Sequence, residues 1–349
     1  MNIEKFLVEA AEKNASDVHI TVGIPPTMRL YGRLMPMTDT IVTKEHCEEI
    51  FSQILTDGQK NYLKSHGEFD LALTAGGNRF RLNVYKVGET YSFAFRYLND
   101  RMLSFEALGL PRTIRSLCQL NSGLILVTGP TGMGKTTTLS SMIDWMNNNR
   151  DAHIVTLEDP IEYIHHHNKC IINQREIGSD SNSFVEGLRS ALRQDPDIIF
   201  VGEMRDLESI SIALTAAETG HLVLSTLHTI GAAKTIDRII DVFPPHQQAQ
   251  VKTQLSIVLN AIISQQLLPS TDGTRVLAYE VMQSTPAIRT LIREGKAFQI
   301  PNIIRTNSKD GMITMDKHLL TLHKRGKISK ATVITHCIER EDILQYFGE

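Results

Sequence analysis

The sequence predicts an α/β protein in two parts. A small α+β domain spans residues 1–97. After a linker at 98–115 comes a larger domain at 116–349, with a parallel-sheet core and a helical end. Three observations carry this. Beyond Leu124, short apolar runs (LILV 124–127, HIVTL 153–157, DIIFV 197–201, HLVLS 221–225) alternate with helical stretches, as parallel strands buried on both faces do. Before residue 98, FDLAL, RFRLNVY and YSFAFRYL follow one another with period two and argue for an antiparallel meander. Between LILVT and TTLSSMIDWMN stands GPTGMGKTTTL, a glycine-rich loop framed by a strand and a helix.

The opening MNIEKFLVEAAEKN places Ile3, Phe6, Leu7, Ala10 and Ala11 on one helical face. VHITV and MRLYGRLM read as short strands, and Thr43 to Leu63 as one or two helices. Gly76-Gly77 and Gly88 supply the turns of the meander. LNDRMLSFEALGLP has no sustained period and reads as the linker. Beyond Asp241 the chain reads as mostly helical, without internal repeats or low-complexity segments.

Charge narrows the function classes. Lys and Arg number 36 against 39 Asp and Glu, a net charge of −3 over 349 residues, which is not the footprint of a protein held by a nucleic-acid backbone. No apolar run approaches the roughly 20 residues that span a bilayer. The start lacks the basic-then-apolar layout of a secretory signal. Cys47, Cys118, Cys170 and Cys337 form no C-x-x-C pair, which argues against structural zinc and for a reduced cytoplasmic setting.

Gly129, Gly134, Lys135 and Thr136 match G-x-x-x-x-G-K-[ST]. In that pattern the loop Gly129, Pro130, Thr131, Gly132, Met133 and Gly134, running on to Thr137, wraps phosphates with the backbone N–H groups of its residues other than Pro130, which has none. The helix N-terminus adds positive potential. Lys135 reaches the β- and γ-phosphates of ATP, and the Thr136 hydroxyl binds Mg²⁺.

Ligands of such sheets sit beyond the carboxyl ends of the strands. There HIVTL delivers Glu158-Asp159-Pro160-Ile161-Glu162, DIIFV delivers Gly202-Glu203, and HLVLS delivers Thr226-Leu227-His228. Asp197 precedes its strand and so lies about 20 Å from Glu203 at ~3.3 Å per residue, on the wrong edge. Glu203 is therefore the candidate for Mg²⁺ and water, with Glu162 or Glu158 as second carboxylate and His228 at the γ-phosphate. His221 starts its strand and faces away. His165, His166 and His167 are expected to form a solvated turn rather than a metal site.

GPTGMGKTTTL, TLEDPIEYIH, LRQDPDIIFVGEMRD and TGHLVLSTLHT resemble, in order, the Walker A, Asp-box, Walker B and His-box motifs of the secretion ATPase superfamily. The likeness runs from NASDVHITVGIPP to GMITMDKHL. It implies a RecA-like P-loop domain preceded by a PAS-like domain. Within the superfamily the sequence most resembles the members that retract type IV pili. It has neither the long N-terminal region nor the tetracysteine insert of assembly members, and AIRTLIREGK is similar to a retraction motif, departing at Thr290 where the pattern has Asn. As a helix, that segment has Thr285 as N-cap, Pro286 first and Gly295 as stop, with Arg289 on the polar side.

The resemblance implies a homo-hexameric ring that hydrolyses ATP at the cytoplasmic face of the inner membrane. The ring acts on a platform protein in that membrane, associates with the membrane only through it, and binds no nucleic acid. It also implies that arginines of the small domain complete the nucleotide site. Alternation puts Arg79 and Arg81 opposite Phe80, Leu82 and Val84, and Arg96 opposite Phe93 and Phe95, so Arg79, Arg81 and Arg96 are the candidates. The competing readings are an accessory or assembly motor of the same superfamily, a RecA-like nucleic-acid translocase, and a nucleotide-binding regulator without useful hydrolysis.

Overall fold

The computed structural model describes residues 1–98, 102–204, 206–308 and 311–348. Two compact units result: Met1–Arg101 with Pro160–Ile164, and Met102–Asp159 with His165–Glu349.

The small unit begins with α1 (Ile3–Glu12), capped by the Asn2 side chain, which accepts from the Lys5 N–H. Its face Ile3, Leu7, Ala10 and Ala11 is buried, as the periodicity requires. Strands β1 (Asp17–Ile20), β2 (Thr27–Leu30) and β3 (Arg33–Pro36) follow. The helical stretch resolves into α2 (Lys44–Ile54) and α3 (Asp57–His66), each opened by a capping box, Thr43 with His46 and Thr56 with Gln59. Gly67, at φ 88°, ends α3 in the left-handed conformation that glycine adopts at little cost. The meander is β4 (Glu68–Ala75), β5 (Asn78–Val87) and β6 (Thr90–Leu98).

One six-stranded sheet contains all these strands, in the order β3-β2-β1-β6-β5-β4, because β1 pairs antiparallel with β6. Alternation on β5 buries Phe80, Leu82 and Val84 against Phe93 and Phe95 of β6, leaving Arg79, Arg81 and Asn83 on the other face. Each large apolar side chain withdrawn from water here contributes about 1.5–3 kcal/mol.

The expected linker divides differently. Residues 99–101 lie outside the described residues, while Met102 onward belongs to the larger unit. There α4 (Phe105–Leu108) and α5 (Thr113–Leu117) bury Phe105, Ile114 and Leu117 in the same core as Met142, Ile143 and Met146. Phe105, Leu110 and Ile114 of the stretch are thus core residues of the larger unit. Helices of four and five residues are too short to show a period.

The larger unit is RecA-like. It continues with β7 (Gly123–Thr128), α6 (Lys135–Asn149), β8 (His153–Glu158), β9 (Ile171–Glu176), α7 (Phe184–Ala191), β10 (Ile198–Val201), α8 (Leu207–Glu218) and β11 (Leu222–Leu227). Then come α9 (Ala232–Asp241), α10 (Pro245–Val258), β12 (Leu259–Pro269) and β13 (Arg275–Gln283). The seven-stranded sheet has the order β13-β12-β7-β11-β10-β8-β9. β12 runs parallel to β7, and β13 returns antiparallel. The chain beyond Asp241 is mostly helical, as expected, but it also holds this hairpin, which the polar Ser264-Gln265-Gln266 inside an apolar run hides from the sequence.

Helices α11 (Pro286–Glu294), α12 (Ile300–Thr306), α13 (Met315–Lys324), α14 (Lys330–His336) and α15 (Arg340–Phe347) complete the chain. In α11, Thr285 accepts from the Ile288 N–H and Gly295 terminates at φ 71°, as expected. Arg289 differs from expectation. It donates to the carbonyls of Ser256, at 2.7 Å, and Ile257, capping the end of α10 rather than facing solvent alone. No described helix is long and apolar enough to cross a membrane.

Candidate nucleotide site

The parallel register of β7, β11, β10 and β8 sets the site. Leu227 is aligned with Thr128, Ser225 with Val201, and Val201 with Leu157. The residues leaving these strands therefore emerge side by side at one edge.

From β7 the chain enters the loop 129–134, where Gly129, Gly132 and Gly134 have φ of 146°, 78° and 79°. A Cβ on Gly129 would lie 2.3 Å from the Gln265 carbonyl oxygen, so only glycine lets the backbone pass. Lys135 begins α6 and is 8% exposed. Its Nζ donates to the carbonyls of Gly129, at 2.8 Å, and Pro130, at 3.0 Å, which holds the ammonium inside the curl of the loop. Thr136 and Thr137 follow on the first turn. Backbone curl, inturned ammonium and helix N-terminus together fit a polyphosphate.

His228 leaves β11 beside this loop. Its Nδ1 lies 3.5 Å from Lys135 Nζ and 3.5 Å from Thr131 Oγ1, and its Nε2 lies 3.4 Å from Glu203 Oε2. These separations are at the outer limit of hydrogen bonding. They nevertheless put the imidazole between the loop lysine and the carboxylate that follows β10.

Glu158, ending β8, is 4% exposed, and its Oε1 accepts from Thr156 Oγ1 at 2.6 Å and Gln174 Nε2 at 3.1 Å. Glu162 is half-buried on the segment Pro160–Ile164, which packs with the small unit.

The demoted residues stay demoted. Asp197 accepts the His153 N–H at 2.7 Å at the starting end of the strands. The His221 ring lies 2.9 Å from the Ala216 carbonyl at that same end.

A family model for the Type II/IV secretion system protein matches residues 1–297. The chain belongs to that family. It is 45% identical over 331 residues to the type IV pilus retraction ATPase PilT of Pseudomonas aeruginosa, covering 95% of this chain and 96% of the relative. It is 37% identical to the type IV pilus ATPase PilU of the same organism, with 98% and 90% covered. The crystal structure of the pilus retraction motor PilT with bound ADP superposes with a TM-score of 0.92 at 43% identity, over 98% of each chain.

This secretion-family chain also differs from sequence expectation at its histidines. His165 is buried rather than solvated, and burial, reinforced by neighbouring His166, lowers its pKa to about 4. His167 Nδ1 accepts the Ile172 N–H at 3.0 Å. His166 and His167 are exposed, as the solvated-turn expectation requires.

On the small sheet, Arg96 and Arg81 stand directly opposite each other on β6 and β5. Arg96 Nε lies 3.0 Å from Asp17 Oδ1, and Arg81 Nε lies 3.6 Å from Asp70 Oδ1. Arg79 donates to the Ile161 carbonyl at 3.4 Å. Opposed like charges are unfavourable in a sheet, and the two aspartates offset them.

Gln265 is the residue that sequence reasoning missed. Fully buried on β12, it donates to the Met133 carbonyl at 2.7 Å and accepts from Thr138 Oγ1 at 3.0 Å. It thereby fastens the loop to the sheet on one side and to α6 on the other. A buried Ser-Gln-Gln run inside AIISQQLL is the signal that marks it.

Proposed function

We propose that this chain is an ATP-hydrolysing motor that powers type IV pilus retraction. The observation that carries the enzymatic part is the placement of His228 between Lys135 and Glu203 at the rim of a phosphate-binding loop. The retraction part rests on the similarity to PilT along nearly the whole chain.

In this reading Gly129 to Thr137 cradle the triphosphate through the backbone N–H groups of every residue but Pro130, and Lys135 turns toward the β- and γ-phosphates. Glu203 orients and deprotonates the attacking water, and His228 senses the γ-phosphate while keeping Glu203 in place. Glu158 or Glu162 supplies the second carboxylate. Mg²⁺, held by Thr136 and Glu203, would neutralise charge on the phosphates. Arg79, Arg81 and Arg96 are the candidates to stabilise charge spreading over the γ-phosphate, a role worth about 10³–10⁵ in rate.

We further propose that the motor is a homo-hexamer working at the cytoplasmic face of the inner membrane through a platform protein. An accessory motor is the second reading, because PilU is also similar; the higher identity to PilT favours retraction itself. Deleting the gene tests this. Loss of retraction leaves excess surface pili, whereas a bald cell would show an assembly motor and unchanged piliation an accessory one.

A further inference from the structure

Helix α9 starts four residues after β11 ends, and those four are His228, Thr229, Ile230 and Gly231. The helix has no side-chain cap of its own, since its N-cap residue is Gly231. Its first N–H groups are buried and require partners from elsewhere. The Gly231 N–H donates to Ser264 Oγ at 2.8 Å, and the Ala232 N–H donates to Glu280 Oε1 at 2.8 Å. Ser264 and Glu280 are direct cross-strand partners on β12 and β13.

The second oxygen of Glu280 accepts the N–H of Met315, the first residue of α13, at 3.3 Å. One carboxylate, 5% exposed, therefore closes two helix N-termini at once. A negative group is favoured there by both helix dipoles. Burial raises the pKa of Glu280, opposed by these same two backbone bonds.

We propose that Glu280, assisted by Ser264, is a positioning residue for His228. β11 fixes the loop at its start, and the Ser264–Glu280 pair fixes it at its end, so the imidazole has little freedom to leave Glu203. The same carboxylate ties that loop to α13 of the C-terminal helical region. This inference rests on the proposed hydrolysis at Lys135, Glu203 and His228. It adds a residue whose carboxylate accepts from the backbone N–H groups of Ala232 and Met315.

Glu280→Gln in the full-length protein tests it. Glutamine replaces one acceptor by an NH₂ donor, so one of the two N–H groups then faces a donor. We expect kcat to fall about tenfold or more, the scale of one displaced buried hydrogen bond, with KM for ATP changed less than about twofold. In a His228→Ala background the substitution should cost nothing further. Wild-type kcat in Glu280→Gln, or losses that multiply in the double variant, would overturn the proposal. Ser264→Ala, a milder change, should lower kcat in the same direction and decides the matter if Glu280→Gln does not fold; unchanged kcat there overturns it. A readout independent of hydrolysis is the NMR signal of the His228 ring, assigned with His228→Ala: it should move in Glu280→Gln, and an unmoved signal counts against positioning. If the wild-type protein releases no phosphate, the enzymatic reading fails, and the ring signal still judges the clamp.

Discussion

His228 Nε2 lies 3.4 Å from Glu203 Oε2, which joins the exits of two neighbouring parallel strands. The contact separates the carboxylate at the working edge from Asp197, which is bonded to His153 at the opposite end. It also makes the imidazole a bridge, since its other nitrogen faces Lys135 and Thr131.

Gln265→Ala removes the side chain that ties Met133 to Thr138. Leaving a part-buried carbonyl and a buried hydroxyl without these partners costs about 1–3 kcal/mol. The loss should appear mainly in nucleotide affinity, because the shape of the cradle is what changes. Calorimetric titration with ADP should show weaker binding by about tenfold or more. Wild-type affinity would mean that the loop holds its shape alone.

Arg96 is 69% exposed at its side chain and pairs with Asp17 on the surface. Such pairs contribute about 0–1 kcal/mol, so Arg96→Ala should leave the melting temperature nearly unchanged. Turnover should fall far more than nucleotide binding. Equal losses in both would make Arg96 merely structural.

Acid sensitivity follows from two buried rings. Burial, reinforced by Arg325, lowers the pKa of His318 to about 4, and His165 lies at about 4 as well. His318 accepts the Tyr279 N–H at 2.9 Å, which requires the neutral ring. Both folded values lie below the unfolded value near 6.5, so the unfolded chain takes up protons first as pH falls. The stabilisation is complete above about pH 6.5 and drains toward pH 4, at about 1.4 kcal/mol per pH unit for each ring. Melting temperature should fall between pH 7 and pH 5, and the fall should be shallower in His318→Gln. Identical slopes would exclude His318 as a source.

Much of this was legible in the sequence because local rules agreed with the fold. Thr43 opens the helical stretch, and Phe80, Leu82 and Val84 alternate with polar residues as a half-buried strand must. The glycine loop announces itself, and strand direction alone places Glu203 and His228 at one rim. What escaped was set by distant partners. β12 looked unlike a strand because Ser264 and Gln265 serve the Gly231 loop and the phosphate loop. Phe105 and Ile114 looked like connection because helices of four and five residues make little more than one turn, too little for a period to repeat. The segment Pro160–Ile164 follows β8 in sequence yet clusters with Met1–Arg101, and no periodicity announces such an exchange.

The central claim is that Lys135 and Glu203 serve one hydrolytic centre. Phosphate release from ATP by the purified full-length chain measures it directly, with Lys135→Ala and Glu203→Gln alongside. The wild-type protein should release phosphate, Lys135→Ala should bind nucleotide poorly and release none, and Glu203→Gln should bind normally while turning over about 10²–10⁴-fold more slowly. Undiminished release by either variant would contradict the account.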